Sequence, residues 1–339
     1  MGHKRTPLNE QVVVITGASS GIGRETARLL AERGATIVAA ARNETALDTL
    51  CSEITVRGGR AMPVVADVAD PLQVAAIGQQ AIEHFGQVDT WVNNAAVSIY
   101  ATVEQLEPDE MRRLIEVNLL GVMYGSRVAV QLMRRRGGGT IINVGSVLSD
   151  RAVQLQSAYS ASKHGIAGFS EALRLELQQD DSGIDVVLIQ PSSINTPFFT
   201  WARSRFGVKP QPIPPVYEPS AVAEVIAHAA EHGGREIVVG GAGKMLSLGQ
   251  WLSPSLVDRY LLQGRRGFEQ QLTDKPDDRI DNLFEPSVGA GRTRGDFEGP
   301  TRPDSIYTRV FELHPFVKRL GLAIGLAMAT AGVWRLGRS

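Results

Sequence analysis

Two hydrophobic periods alternate over the first 245 residues, and this alternation limits the fold more than any other feature of the chain. Short runs rich in Val, Ile and Ala occupy residues 12–16, 36–40, 61–66, 90–93, 140–144, 185–189 and 236–239, each the length of one strand. Between them lie longer stretches, 23–33, 71–85, 108–136, 159–179 and 220–232, whose apolar residues recur at helical spacing. Strands that are apolar on both faces and separated by helices belong to a parallel sheet covered on both sides. The reading is therefore α/β: a doubly wound parallel sheet of about seven strands with helices on both faces, followed by a C-terminal extension.

Composition narrows the classes of function. The chain has 339 residues, 43% hydrophobic and 21% charged, enough to bury a substantial core. Its 35 basic and 36 acidic side chains leave a net charge of -1, so no overall field attracts a nucleic acid. Cys51 is the lone cysteine, which excludes an internal disulfide and fits a reducing compartment. The first residues are polar and lack the apolar centre of a signal peptide, so a cytoplasmic location is expected. Of the six histidines only His228 and His232 share an i,i+4 spacing, and no glutamate completes a metallohydrolase pattern, so no metal is expected.

A doubly wound sheet takes ligands beyond the carboxyl ends of its strands. The polar residues cluster there: Gly17, Ser19, Ser20, Gly21 and Gly23 after the first run, Arg42 after the second, Asp67 after the third, Asn93 and Asn94 after the fourth, Ser146 after the fifth, and residues 191–196 after the sixth. The first of these, TGASSGIG at residues 16–23, lies between a strand and a helix. Its glycines permit a tight turn and close approach to a pyrophosphate, which then faces the open N–H groups of the next helix. Because no Lys-Ser or Lys-Thr closes the turn, a dinucleotide is expected rather than a triphosphate. The second run ends in Arg42, where an acid for the ribose hydroxyls is missing. A guanidinium there suits a 2′-phosphate, so NADP(H) is favoured with NAD(H) as the alternative; the competing reading makes Arg42 a solvated loop residue. Asp67 has the carboxylate to accept an adenine amino group, whereas Asp70 is better placed to cap the next helix.

Tyr159 and Lys163 stand one helical turn apart on one face. Ketone reduction needs hydride at carbon and a proton at oxygen. A phenol beside an ammonium and the positive nicotinamide of an oxidised cofactor is expected to shift toward phenolate, with Lys163 reaching the nicotinamide ribose and the Ser146 hydroxyl polarising the carbonyl.

At this point the chain, from residue 11 to about 243, resembles the classical short-chain dehydrogenase/reductase family. The resemblance rests on TGASSGIG at 16–23, NNA at 93–95, Ser146 and YSASK at 159–163, in the family's order. It implies a Rossmann-type catalytic domain over residues 1–245 and a catalytic set of Asn118, Ser146, Tyr159 and Lys163, with Asn118 holding a water linked to Lys163. It also implies cofactor contacts from Gly17, Ser19, Ser20, Gly21, Ile22, Gly23, Arg42, Asp67, Val68, Asn94, Ala95, Tyr159, Lys163, Pro191, Ile194 and Thr196. A homodimer or homotetramer built on the helices at 108–136 and 159–179 is a further implication. Ser192 departs from the family's usual glycine after the proline and leaves substrate choice open.

The substrate expected is a neutral, hydrophobic ketone or secondary alcohol. Phe198, Phe199, Trp201 and Phe206, with Pro210, Pro212, Pro214 and Pro215, suit an apolar lid, although the same residues would serve to pack the lid on its own domain. Val147, Leu148 and Gln156 are expected at the pocket border. Arg203 and Arg205 are read either as a clamp for an anionic substrate or as solvated lid residues. Two other functions share this framework: a cofactor-retaining epimerase or dehydratase, and a nucleotide-binding structural or regulatory module.

Beyond the catalytic domain, residues 246–271 read as a helical extension, 272–309 as an irregular linker rich in Gly, Pro, Asp and Arg, and 310–339 as an apolar helical segment. The span 320–334 is shorter than the roughly 17–25 residues that cross a bilayer. Lys318, Arg319, Arg335 and Arg338 flank it. Peripheral membrane contact through residues 316–334, a helix docked in an oligomer and a helix buried on its own chain are the three readings.

Overall fold

The computed structural model describes residues 5–263 and 268–314. Seven parallel strands form one sheet: β1 (Val12–Thr16), β2 (Thr36–Ala41), β3 (Arg60–Val65), β4 (Thr90–Asn93), β5 (Gly139–Val144), β6 (Ile184–Pro191) and β7 (Glu236–Val239). Their spatial order is β7-β6-β5-β4-β1-β2-β3. The order reverses direction between β1 and β4, and a crevice opens at such a switch point.

Side-chain alternation along the strands sorts the core into two layers. Val13, Ile15, Ile37 and Val187 point to the face covered by α1 (Gly21–Glu32), α2 (Glu44–Val56) and α7 (Pro219–His232), meeting Leu30, Leu50 and Val225. Val12, Val14, Trp91 and Ile141 point to the other face, under α3 (Pro71–Phe85), α4 (Pro108–Ile115), α5 (Gly121–Arg136) and α6 (Ser157–Gln179). All five residues of β1 are buried, as expected for a strand with neighbours on both edges and helices on both faces. Burial of each such aliphatic side chain contributes about 1.5–3 kcal/mol relative to exposure.

Three departures from the sequence reading bear on the site. The segment 108–136 is two helices joined by a π-helical turn, Glu116–Leu120, which carries Asn118. The helical pattern at 251–268 belongs to α8 (Gly241–Leu252) and α9 (Pro254–Leu262), broken where Pro254 lacks an amide hydrogen for the preceding turn. The irregular segment after residue 272 is pinned to the domain at several points. Leu272–Pro276 pairs antiparallel with Val208–Pro210, and Thr301–Arg302 pairs parallel with Val216–Tyr217.

The expectation of membrane contact, and of a peripheral membrane location, is corrected. Among the described residues no helix is long and apolar enough to cross a membrane. The helices with the most exposed apolar side chains, α8 and α9, have 12 and 9 residues, against about 20 for a span. The segment 316–334 on which that expectation rested lies outside the described residues.

Candidate active site

The turn after β1 brings backbone closer to backbone than any side chain would permit. At Gly17, with φ +67°, a Cβ would lie 2.7 Å from the Ala95 Cα; at Gly23 it would overlap the Gly17 carbonyl oxygen. The Asn94 side chain closes this turn by donating to the carbonyls of Thr16 (3.0 Å) and Gly17 (3.2 Å). The Thr16 hydroxyl in turn accepts from the Asn94 amide at 3.1 Å. The ends of β1 and β4 are thereby locked with the start of α1 at the crevice. This is a cradle for a pyrophosphate, and the tight glycine contacts fit a dinucleotide.

Of the expected catalytic and cofactor residues, all but Gly23 and Asn118 line one cavity of about 420 Å³ that runs from this turn to Tyr159. At the end beside β2 and β3, Asp67 pairs with Arg113 at 2.5 Å and accepts from the Ala69 amide at 3.0 Å, so its carboxylate is already engaged. Val68 packs in the core beside it, and Asp70 caps α3 by accepting from Leu72. Arg42 is held by two carbonyls of the C-terminal segment, Phe284 (2.7 Å) and Asn282 (2.5 Å). Burial lowers its pKa from the ordinary arginine value.

At the other end, Ser146 caps the short turn Val147–Ser149 by accepting from the Leu148 amide at 3.1 Å, and its hydroxyl lies on the Tyr159 side of the cavity, where it lowers the phenol's pKa. Lys163 lies 5.5 Å from the centroid of the Tyr159 ring, and its Nζ donates to the Val144 carbonyl at 2.9 Å. In the chain without cofactor, burial dominates the electrostatics of this pair. Burial pushes the Tyr159 phenol well above its ordinary value, and the Ser146 hydroxyl offsets only part of this. Burial also pushes the Lys163 ammonium down to about 7. Desolvation disfavours the charged form of both groups, so the phenol is neutral in the free chain and Lys163 titrates near neutrality.

Asn118, fully buried in the π turn, accepts from the Val97 amide (2.8 Å) and donates to the Val97 carbonyl (3.0 Å) and the Ser162 hydroxyl (3.3 Å). It thus joins the loop after β4 to the helix that carries Tyr159 and Lys163. Pro191, Ile194 and Thr196 follow β6 on the opposite wall, with Ile194 bridged to Tyr217. The Ser192 hydroxyl donates to the Val239 carbonyl at 2.7 Å, so it ties β6 to β7.

A family model described as short chain dehydrogenase matches residues 11–205. The chain belongs to this family. The short-chain dehydrogenase is 39% identical over 331 residues to an uncharacterized oxidoreductase, YxnA, of Bacillus subtilis, covering 97% of this chain and 92% of the relative. It is 35% identical over 221 residues to a cyclohexanol dehydrogenase of an Acinetobacter species, covering 65% and 87%. A metagenomic short-chain oxidoreductase solved with NADP superposes with a TM-score of 0.59 and 30% identity, covering 69% of this chain and 98% of that one. This dehydrogenase is thus an NAD(P)-dependent oxidoreductase with a tyrosine beside its sheet.

Aromatic rings of the dehydrogenase pack around Tyr159. The Phe198 ring packs against Tyr159 with centroids 5.5 Å apart, and Phe199 meets Phe198 edge-on at 5.4 Å. Both line the cavity with Trp201, Val147, Leu148 and Gln156; Phe206 instead packs against Phe268. Arg203 pairs with Glu110 and Asp281, each at 2.8 Å, and Arg205 also pairs with Glu110, so neither is a clamp for an anionic substrate. His228 and His232 stack 4.3 Å apart. Among the described residues no group of three or more His, Cys, Asp or Glu side chains is placed to hold a metal.

Sequence reasoning missed Tyr100, Arg113 and the C-terminal wall. Tyr100 is fully buried on the short strand Ile99–Tyr100, lines the cavity beside Tyr159, and has a hydroxyl with no hydrogen-bond partner. Leu261, Gln270, Gln271, Asn282, Pro286 and Ser287 extend the cavity wall from the extension. Gln156 donates to Gln271 at 2.7 Å, which fastens that wall to the loop preceding Tyr159.

Proposed function

We propose that this dehydrogenase transfers hydride between NADP(H) and a neutral, apolar ketone or secondary alcohol, with Tyr159 as the proton-transfer group. The observation that carries the reading is the placement of Ser146, Tyr159 and Lys163 together, with Lys163 under the phenol ring, inside a cavity continuous with the dinucleotide turn. When bound, the nicotinamide supplies or accepts the hydride. The chain's own groups do the rest. Ser146 and Tyr159 each bring a hydroxyl to the cavity, where a carbonyl oxygen would accept a hydrogen bond and its carbon become electron-poor. The neutral phenol is the form able to donate a proton, which suits reduction. Lys163, with a pKa near 7, is able to pass a proton on toward Tyr159 at neutral pH. Asn118 positions the helix that carries both groups.

NADP(H) is favoured over NAD(H) because Arg42 rather than an acid follows β2, and because the metagenomic relative was solved with NADP. The apolar wall of Phe198, Phe199 and Trp201, the pairing of Arg203 and Arg205 with carboxylates, and the cyclohexanol dehydrogenase relative support a cyclic or branched secondary alcohol or its ketone. The test is a panel of neutral ketones and secondary alcohols, followed by the near-ultraviolet absorbance of the reduced nicotinamide with each cofactor. Stoichiometric loss of NADPH with ketone is expected. Substrate conversion without net change in the cofactor would replace this reading with a cofactor-retaining epimerase or dehydratase.

A further inference from the structure

Residues 281–292 cross the adenosine end of the crevice, and their attachment is unusual in kind. Six backbone carbonyls of this stretch each meet a donor on the nucleotide-binding half. Those of Asn282 and Phe284 accept from Arg42. Those of Ser287 and Gly289 accept from Asn43 Nδ2, at 2.5 and 3.1 Å. The Ala290 carbonyl accepts from the Thr49 hydroxyl at 2.6 Å, and that of Arg292 accepts from the amide of Gly21, the first residue of α1, at 2.9 Å. A seventh carbonyl, on Leu283, accepts from Arg113 at 3.0 Å, the same arginine that pairs with Asp67. Leu283 itself is fully buried in the core layer that contains Val68 and Leu114. A stretch lying idly on a surface would give its carbonyls to water. Here they engage the elements that surround an adenosine.

The stretch roofs the space and leaves it open. Asn282, Pro286 and Ser287 line the same cavity as Gly17, Arg42 and Asp67, from the opposite side. Arg42 has five N–H groups, and the two carbonyls leave three for an anion. We propose that residues 281–292 form a clasp of the dinucleotide site: the adenosine end of the cofactor lies between this segment and the ends of β2 and β3, and enters or leaves only when the segment lifts. The proposal rests on the NAD(P)(H) reading above.

Two variants lift the clasp by different routes. Gly291 has φ +77°, and a Cβ there would overlap the Ser19 carbonyl oxygen, so Gly291→Val prevents docking on the glycine turn, with Ala46 and Arg24 as its other near neighbours. Leu283→Ala removes the buried anchor. NADPH dissociation is followed by its fluorescence on displacement with excess NADP, and trypsin cleavage after Arg292 and Arg294 is followed with adenosine 2′,5′-bisphosphate or nicotinamide mononucleotide present. The clasp predicts dissociation about tenfold or more faster in both variants, since a lost retaining contact acts on the off-rate. It also predicts that the wild type is protected from trypsin by the adenosine bisphosphate and unprotected by the mononucleotide. Wild-type dissociation rates in a folded Gly291→Val protein, or cleavage indifferent to the adenosine bisphosphate, would overturn the clasp alone. A wild-type protein that binds neither dinucleotide would overturn the cofactor reading and the clasp with it.

Discussion

At Tyr159 a phenol that must exchange a proton sits where burial resists its ionisation and only Ser146 assists it. Lys163 is the group that titrates in the working range, because desolvation has brought it down to about 7. A free-enzyme group with that pKa should appear in the rate profile. kcat/KM for ketone reduction is expected to bend downward above about pH 7, as Lys163 loses its proton and the relay its donor; a profile flat to strongly alkaline pH would remove Lys163 from proton transfer. The same lysine binds fewer protons folded than unfolded, so its burial penalty is greatest below pH 7 and is relieved as the pH rises toward the ordinary lysine range. Tyr100 gives a different residue-scale expectation. Its buried hydroxyl has no partner, a state that costs about 1–3 kcal/mol. Tyr100→Phe should leave the melting temperature of the free protein unchanged or raised; a clear fall would show that the hydroxyl is bonded.

The element scale shows what was legible in the chain and what was not. The glycine turn at 17–23 and the Tyr159–Lys163 pair were legible because each is local, one a backbone requirement and the other a single helical turn. The strands were legible because a sheet covered on both faces demands unbroken apolar runs, and β1, β4 and β7 begin and end where those runs do. The π turn around Asn118 left no mark in the periodicity, since one added residue per turn looks like ordinary helix. The protonation states were also hidden, because they depend on burial by elements far apart in sequence. Arg42 was legible as a cation at the end of β2, but its grip by the carbonyls of Asn282 and Phe284 was not, for carbonyls carry no sequence signature. Arg42→Met should lower the preference for NADP over NAD by about tenfold or more, the value of one charge-assisted contact. Titration of both cofactors would check it, with an unchanged ratio meaning that the 2′-phosphate is recognised elsewhere.

Across the whole molecule the extension shares one cavity with the glycine turn and Tyr159. Composition identified residues 272–309 as irregular, yet irregular backbone becomes ordered wherever its polar groups find fixed partners. Arg203 is the joint: it links Glu110 at the core, the lid on which it sits, and Asp281 at the start of the clasp. Burial pushes the Glu110 carboxyl up, but bonds from Arg203, the Glu107 amide and Arg205 outweigh it and hold the group below its usual value. That stability is present above the ordinary glutamate range and is lost as the pH falls through the depressed value. Arg203→Met leaves Glu110 buried with Arg205 alone and should cost about 2–4 kcal/mol in denaturant unfolding; an unchanged midpoint would mean that Arg205 suffices. The central claim, that one cavity brings a dinucleotide and a proton-donating phenol to the same carbonyl, is tested most directly by Tyr159→Phe, assayed for NADPH binding and for ketone turnover in the same preparation. The account predicts binding close to that of the wild type with turnover reduced by about 100-fold or more. Near-normal turnover with NADPH bound would contradict it.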